Sequence, residues 1–128
     1  MASTTRERPG AQSLLAAISN ATVRIVADYT GRGPTKARTS IRDDVVLVLM
    51  QDTLTKAERT LLASGQTDFV METRHRFQKT MSDELIAAVE MLTERKVLAF
   101  MSANHPDPDM AAEIFVLEPR ADAEAKSD

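Results

Sequence analysis

The sequence predicts an α+β fold, one mostly antiparallel four-stranded sheet with helices packed on a face, and three observations predict it. Apolar residues recur at helical spacing over residues 11–30 and again over 67–93. Two pairs of short segments have strand character, each pair joined by turn-forming residues. The resulting order is N-terminal helix, β-hairpin, short helix, long helix, β-hairpin, and hairpins favour antiparallel neighbours.

From Ala11 to Thr30, the residues Leu14, Leu15, Ile18, Ala21, Thr22, Ile25, Val26 and Tyr29 fall at three- and four-residue steps, on one face of a helix. Gly31 suits the left-handed conformation that ends helices, and Pro34, which has no amide proton, prevents resumption. Thr35 to Ile41 and Val45 to Gln51 read as strands joined at Arg42, Asp43 and Asp44. The unbroken apolar run from Val45 to Met50 marks a central strand, expected to be covered on both faces. The segment Thr55-Lys56-Ala57-Glu58 is a capping box, which opens a short helix ending near Ser64 and Gly65. A longer helix follows from Thr67 to Thr93. Its expected core stripe is Val70, Phe77, Met81, Leu85, Ala88, Val89 and Leu92, with Arg74, Arg76, Lys79, Asp83, Glu84 and Glu90 largely off it. Val97 to Ala103 and Ala111 to Leu117 form the second strand pair around the turn residues Asn104 to Asp109.

A chain of 128 residues, 43% apolar and 27% charged, supports one modest core. Residues 11–118 read as a single domain, with 1–10 and 119–128 expected to be flexible tails. The absence of cysteine excludes thiolate catalysis, cysteine-ligated zinc, iron–sulfur clusters and disulfides, and fits a reducing compartment. The charge-free stretch Gly10 to Val23 falls short of the roughly 20 mostly apolar residues of a spanning helix. Residues 1–10 lead into no apolar signal segment. The expectation is a cytoplasmic protein with no membrane insertion.

The net charge of −3 conceals an asymmetry. Residues 1–42 carry seven Lys/Arg against two acids, or +5, whereas residues 43–128 carry nine against seventeen, or −8. The basic third either meets the acidic remainder of the chain or of a second copy, or faces an anionic partner.

The most pointed segment is Gly31-Arg32-Gly33-Pro34-Thr35-Lys36, followed by Arg38. Two glycines expose backbone amides beside three cations, a combination able to hold a carboxylate, a phosphate or bicarbonate. Against this, the segment follows a helix C-terminus, whose dipole repels anions, and lacks the spacing of a nucleotide loop. Gly31, Arg32, Gly33, Pro34, Lys36 and Arg38 are therefore candidates for an anion or partner site, with a helix stop followed by a basic strand as the structural alternative.

Other chemistry has little to build on. His105-Pro106-Asp107-Pro108-Asp109 places an imidazole and two carboxylates in one loop, where turn chemistry accounts for the same residues, and no metal site is assigned. His75 lies between Arg74 and Arg76, and neither histidine is spaced with a serine and a carboxylate as a nucleophilic set requires. Asp43-Asp44 and Asp83-Glu84 read as solvated surface. No catalytic residue and no cofactor is expected. Nucleic-acid binding is disfavoured because the few aromatics fall mostly on core stripes and the body is acidic. Of the seven methionines, Met71 and Met91 border the long-helix stripe, where they could line an adaptable interface.

Several segments together resemble the MpsC-like family: Ile18-Ser19-Asn20 with Val23 and Val26, then GRGPTKAR from Gly31 to Arg38, LTKAER from Leu54 to Arg59, and Asp109 before Glu113 to Pro119. The resemblance covers roughly residues 12–119. Where that family usually has glycine after its long helix, this chain has Glu94, which would extend the helix slightly. The resemblance implies the small soluble component of a bacterial system that generates membrane potential through cation-coupled transport, with inorganic carbon uptake a suggested role of its membrane partners. It brings no catalytic residues with it. The resulting expectation is a non-enzymatic accessory or regulatory protein that self-associates as a homodimer, serving such a transport system. A small-anion or nucleotide sensor using Gly31 to Arg38 is the alternative.

Overall fold

The computed structural model describes residues 11–120, so the tails expected at 1–10 and 119–128 lie outside the described residues except for Pro119 and Arg120. Helix α1 (Ala11–Thr30) leads into the hairpin β1 (Lys36–Arg42) and β2 (Val45–Gln51); α2 (Lys56–Ala63) and α3 (Thr67–Thr93) follow, then β3 (Val97–His105) and β4 (Met110–Leu117). The strands form one antiparallel sheet in the order β1-β2-β4-β3. Two consecutive hairpins meet at their second strands, so β2 and β4, the most apolar of the four, occupy the centre.

The core lies between one sheet face and helices α1 and α3. Ile18, Ile25 and Val26 of α1 and Met81, Leu85 and Val89 of α3 pack on Val46, Val48 and Met50 of β2 and Ala111, Phe115 and Leu117 of β4. Strand alternation sends every second residue inward. The Phe100 and Phe115 rings stand 5.0 Å apart, tilted by 44°, within the range that aromatic pairs favour.

The expectations for β2 and for the α3 stripe change. Strand β2 is central but is covered on one face, because both long helices pack on the same side of the sheet; the alternate residues Leu47 and Leu49 are only partly buried and Val45 is 41% exposed. On α3 the inward stripe runs through Val70, Arg74, Gln78, Met81, Leu85 and Val89, whereas Phe77 is 38% exposed. Helical spacing fits either set. Arg74 and Gln78 can point inward because the loops beside them supply hydrogen-bond partners, described below.

The left-handed residues punctuate the chain. Gly31 has φ +83° and stops α1, its amide donating to Ala27 O at 2.9 Å. Helix α3 stops at Thr93, and Glu94 takes φ 58°, ψ 33° as its cap instead of extending the helix. A side chain here occupies the conformation that glycine adopts without strain.

Candidate functional site

The GRGP segment builds a junction. Gly33 lies against α1 so closely that a Cβ would meet Val23 Cγ1 at 3.1 Å and Val23 O at 3.3 Å. Pro34 is buried. Together they turn the chain back over α1, and Arg32 reaches across to the segment joining β2 to α2. Its Nη2 donates to Asp52 Oδ2 at 2.7 Å, and its Nη1 to the carbonyls of Asp52 at 2.6 Å and Leu54 at 3.2 Å.

That receiving segment, Asp52 to Thr55, has no helix or strand, yet four consecutive amides are satisfied. Asp52 N donates to Asp109 O at 3.2 Å, Thr53 N to Asp109 Oδ1 at 3.0 Å, Leu54 N to Asp109 Oδ2 at 2.9 Å and Thr55 N to Glu58 Oε1 at 2.8 Å. The Thr55 Oγ1 accepts from Glu58 N at 3.1 Å, completing the capping box. Arg59 pairs with Asp52 from α2 and stands 3.6 Å from Asp109. The Asp52 carboxyl is held below the usual carboxylate range by the Arg32 hydrogen bond first and the Arg59 hydrogen bond second.

From α3, Arg74 closes the other side. Its Nη2 donates to Thr53 Oγ1 at 2.8 Å, its Nη1 to Glu58 Oε1 at 3.1 Å and its Nε to Asn104 Oδ1 at 3.0 Å. Asn104 and Gln78 exchange amide hydrogen bonds of 2.8 and 2.9 Å. The segments that carry the family resemblance thus converge: Arg32 of GRGPTKAR, Leu54 to Arg59 of LTKAER, and Asp109 join one network. Asp109 serves backbone amides, and His105 Nδ1 lies 2.8 Å from Pro108 O. Among the described residues, no group of three or more His, Asp or Glu is placed to hold a metal ion.

The candidate residues divide. Gly31, Arg32, Gly33 and Pro34 belong to this junction. Lys36 and Arg38 are exposed on β1, where the register sets them beside Gln51 and Leu49 on the uncovered sheet face. Arg32 has its guanidinium engaged with Asp52 and Leu54, so the three cations do not converge on one pocket.

One buried group was not singled out by the sequence. Glu113 is 1% exposed on β4, beside Val48 and Phe115 in the inward-facing row, and its Oε1 accepts from Ser102 on the paired strand. It borders a cavity of about 20 Å³ among Met50, Thr53, Arg74, Gln78 and Met81, room for about one water. Burial pushes its carboxyl up to about 7, against the lowering influences of Ser102 and Arg74. The available signal was its place in the alternation Ala111, Glu113, Phe115, Leu117.

No helix among the described residues is long and apolar enough to cross a membrane. A family model described as Na+-translocating membrane potential-generating system (MpsC) matches residues 11–119. No curated protein and no solved structure matches the chain.

Proposed function

This chain belongs to the MpsC family, and from that premise we propose that it is a non-enzymatic, cytoplasmic accessory protein of a Na+-linked membrane-potential system and acts as a homodimer. The observation that carries the accessory reading is the half-partnered sheet, and the uncharged edge strand β3 supports the homodimer. Val45, Leu47 and Leu49 of β2, Ile114 and Val116 of β4 and Met101 of β3 form a contiguous apolar surface on the face that the helices leave uncovered. Contiguous exposed apolar surface of this kind favours association with another protein surface. The junction adds support, since the polar groups of Arg32, Asp52, Arg74 and Asp109 are engaged in holding loops together.

Sedimentation velocity at tens of micromolar tests the assembly: a dimer is expected, and a strict monomer overturns self-association. Co-purification with a membrane subunit encoded beside this gene tests the accessory role, and its failure in both directions of pull-down overturns that part. The anion-sensor reading now rests on Lys36 and Arg38 without Arg32. Calorimetry with bicarbonate, phosphate and nucleotides is expected to give no heat.

A further inference from the structure

The two sheet edges differ in character. On β1, seven residues include Lys36, Arg38 and Arg42, whereas the nine residues of β3, Val97 to His105, include no Lys, Arg, Asp, Glu or Pro. Edge strands are ordinarily blunted by charge, proline or short length, because their free N–H and C=O groups are a template for another strand. Among the described residues β3 pairs with β4 alone, and Leu98 and Met101 on it are 57% and 49% exposed. Beside it runs a groove of about 510 Å³ against α3, bordered by Lys79, Ser82, Ile86 and Phe100.

We propose that a second copy of this chain pairs through β3, antiparallel to the first and about a two-fold axis near Met101, to give a continuous eight-stranded sheet. This rests on the self-association proposed above and specifies its surface. The charge distribution of α3 selects the occupant and the orientation. Gln78 is bonded to Asn104, and Glu90 Oε2 accepts from Val97 N at 2.9 Å, so α3 runs antiparallel along β3 with its middle level with Met101. Of the charges on α3, Arg74 is turned inward onto Glu58 and Arg76 pairs with Glu72; beside the groove and β3, Lys79 stands in the N-terminal half and Glu90 in the C-terminal half, and residues 82–94 carry no Lys or Arg. A two-fold axis at this level brings Lys79 of each α3 towards the acidic C-terminal half of the other. Ser82, small and bordering the groove at that level, permits close approach of the two helices. The cationic β1 edge would instead oppose like charges in a symmetric pair.

The chain has no cysteine, so a single introduced thiol reports the interface directly. In an antiparallel pair, opposed Cβ atoms lie about 4.5–5.5 Å apart, close enough for a disulfide after slight adjustment. Under mild oxidation Met101→Cys is expected to give covalent dimer in roughly tenfold greater yield than Leu47→Cys on the open face or Ser40→Cys on β1, with Ala99→Cys and Ala103→Cys lower. Met101→Lys is expected to convert the dimer to monomer with an unchanged circular dichroism spectrum. A dimer that cross-links through Leu47→Cys or Ser40→Cys, and through none of the β3 positions, overturns edge pairing while leaving self-association standing. A monomeric native chain overturns both.

Discussion

Arg32 and Asp52, twenty positions apart, tie the end of α1 to the exit of β2: Nη2 meets Oδ2 at 2.7 Å while Nη1 holds the Asp52 carbonyl at 2.6 Å. One side chain therefore fixes both the carboxylate and the backbone of the receiving loop. A lysine has a single head group and cannot reproduce that fork.

Arg32→Ala is expected to lower the urea midpoint of unfolding, and Arg32→Lys to restore only part of the loss. The pairing also has a pH signature. Asp52 has a depressed carboxyl in the folded chain, so the stability it contributes is present above the unfolded carboxylate range and is lost as pH falls through the folded value. Unfolding midpoints measured from pH 7 downward should fall less steeply in Asp52→Asn than in the native chain.

Glu113 has the opposite sign. Its folded pKa of about 7 lies above the ordinary glutamate value of 4.5, so the fold holds the proton more tightly than the unfolded chain does. The stability associated with that proton is complete below the unfolded pKa and is lost as pH rises through about 7. The loss amounts to on the order of 3 kcal/mol. Glu113→Gln keeps a donor and acceptor for Ser102 without the charge, and is expected to be the more stable protein at pH 8 with the difference vanishing near pH 4. Denaturant titrations at the two pH values check it.

The two glycines of the GRGP segment should fail for different reasons. Gly33→Ala drives a methyl into Val23 and is expected to cost about 1–3 kcal/mol by overpacking. Gly31→Ala meets nothing within 4 Å but must hold φ +83°, at a cost of about 1 kcal/mol. Val23→Ala removes the Cγ1 contact but not that of Val23 O, so it should rescue part of the first substitution and leave the second unchanged.

Glu94→Gly places glycine where the backbone is already left-handed, at φ 58°. A gain of about 0.5–1 kcal/mol is expected, read as a higher thermal midpoint. No change would mean that Glu94 makes compensating interactions in the native chain.

Local patterns made most elements legible. The bounds of α1, β2 and α3 follow from apolar periodicity and from Gly31, Gln51 and Thr93 as visible ends, while β1 starts one residue later than Thr35. The Thr55–Glu58 capping box was readable because both partners lie within four residues. The junction was not readable. The bonds of Arg32 and Asp109 join residues 20 to 57 positions apart, and nothing local to either residue names the other end. The same distance effect misplaced Phe77: without knowing that Asn104 and Thr53 await them, Arg74 and Gln78 look like surface residues and the neighbouring phenyl ring looks like core. Adjacency in the sequence groups Lys36 and Arg38 with Arg32, whereas β1 carries both to the uncovered sheet face while Arg32 turns to Asp52.

The segment from Asp52 to Thr55 has a consequence for breathing motions. Irregular loops usually exchange their amide protons quickly, because small local openings expose them. Here the amides of Thr53 and Leu54 are clamped by one carboxylate from a distant hairpin, and the carbonyls of Asp52 and Leu54 by one guanidinium from the end of α1. Freeing either amide means detaching the β3–β4 turn. In deuterium these loop protons should therefore persist nearly as long as those of β2, marking an irregular stretch that opens only when the β3–β4 turn detaches.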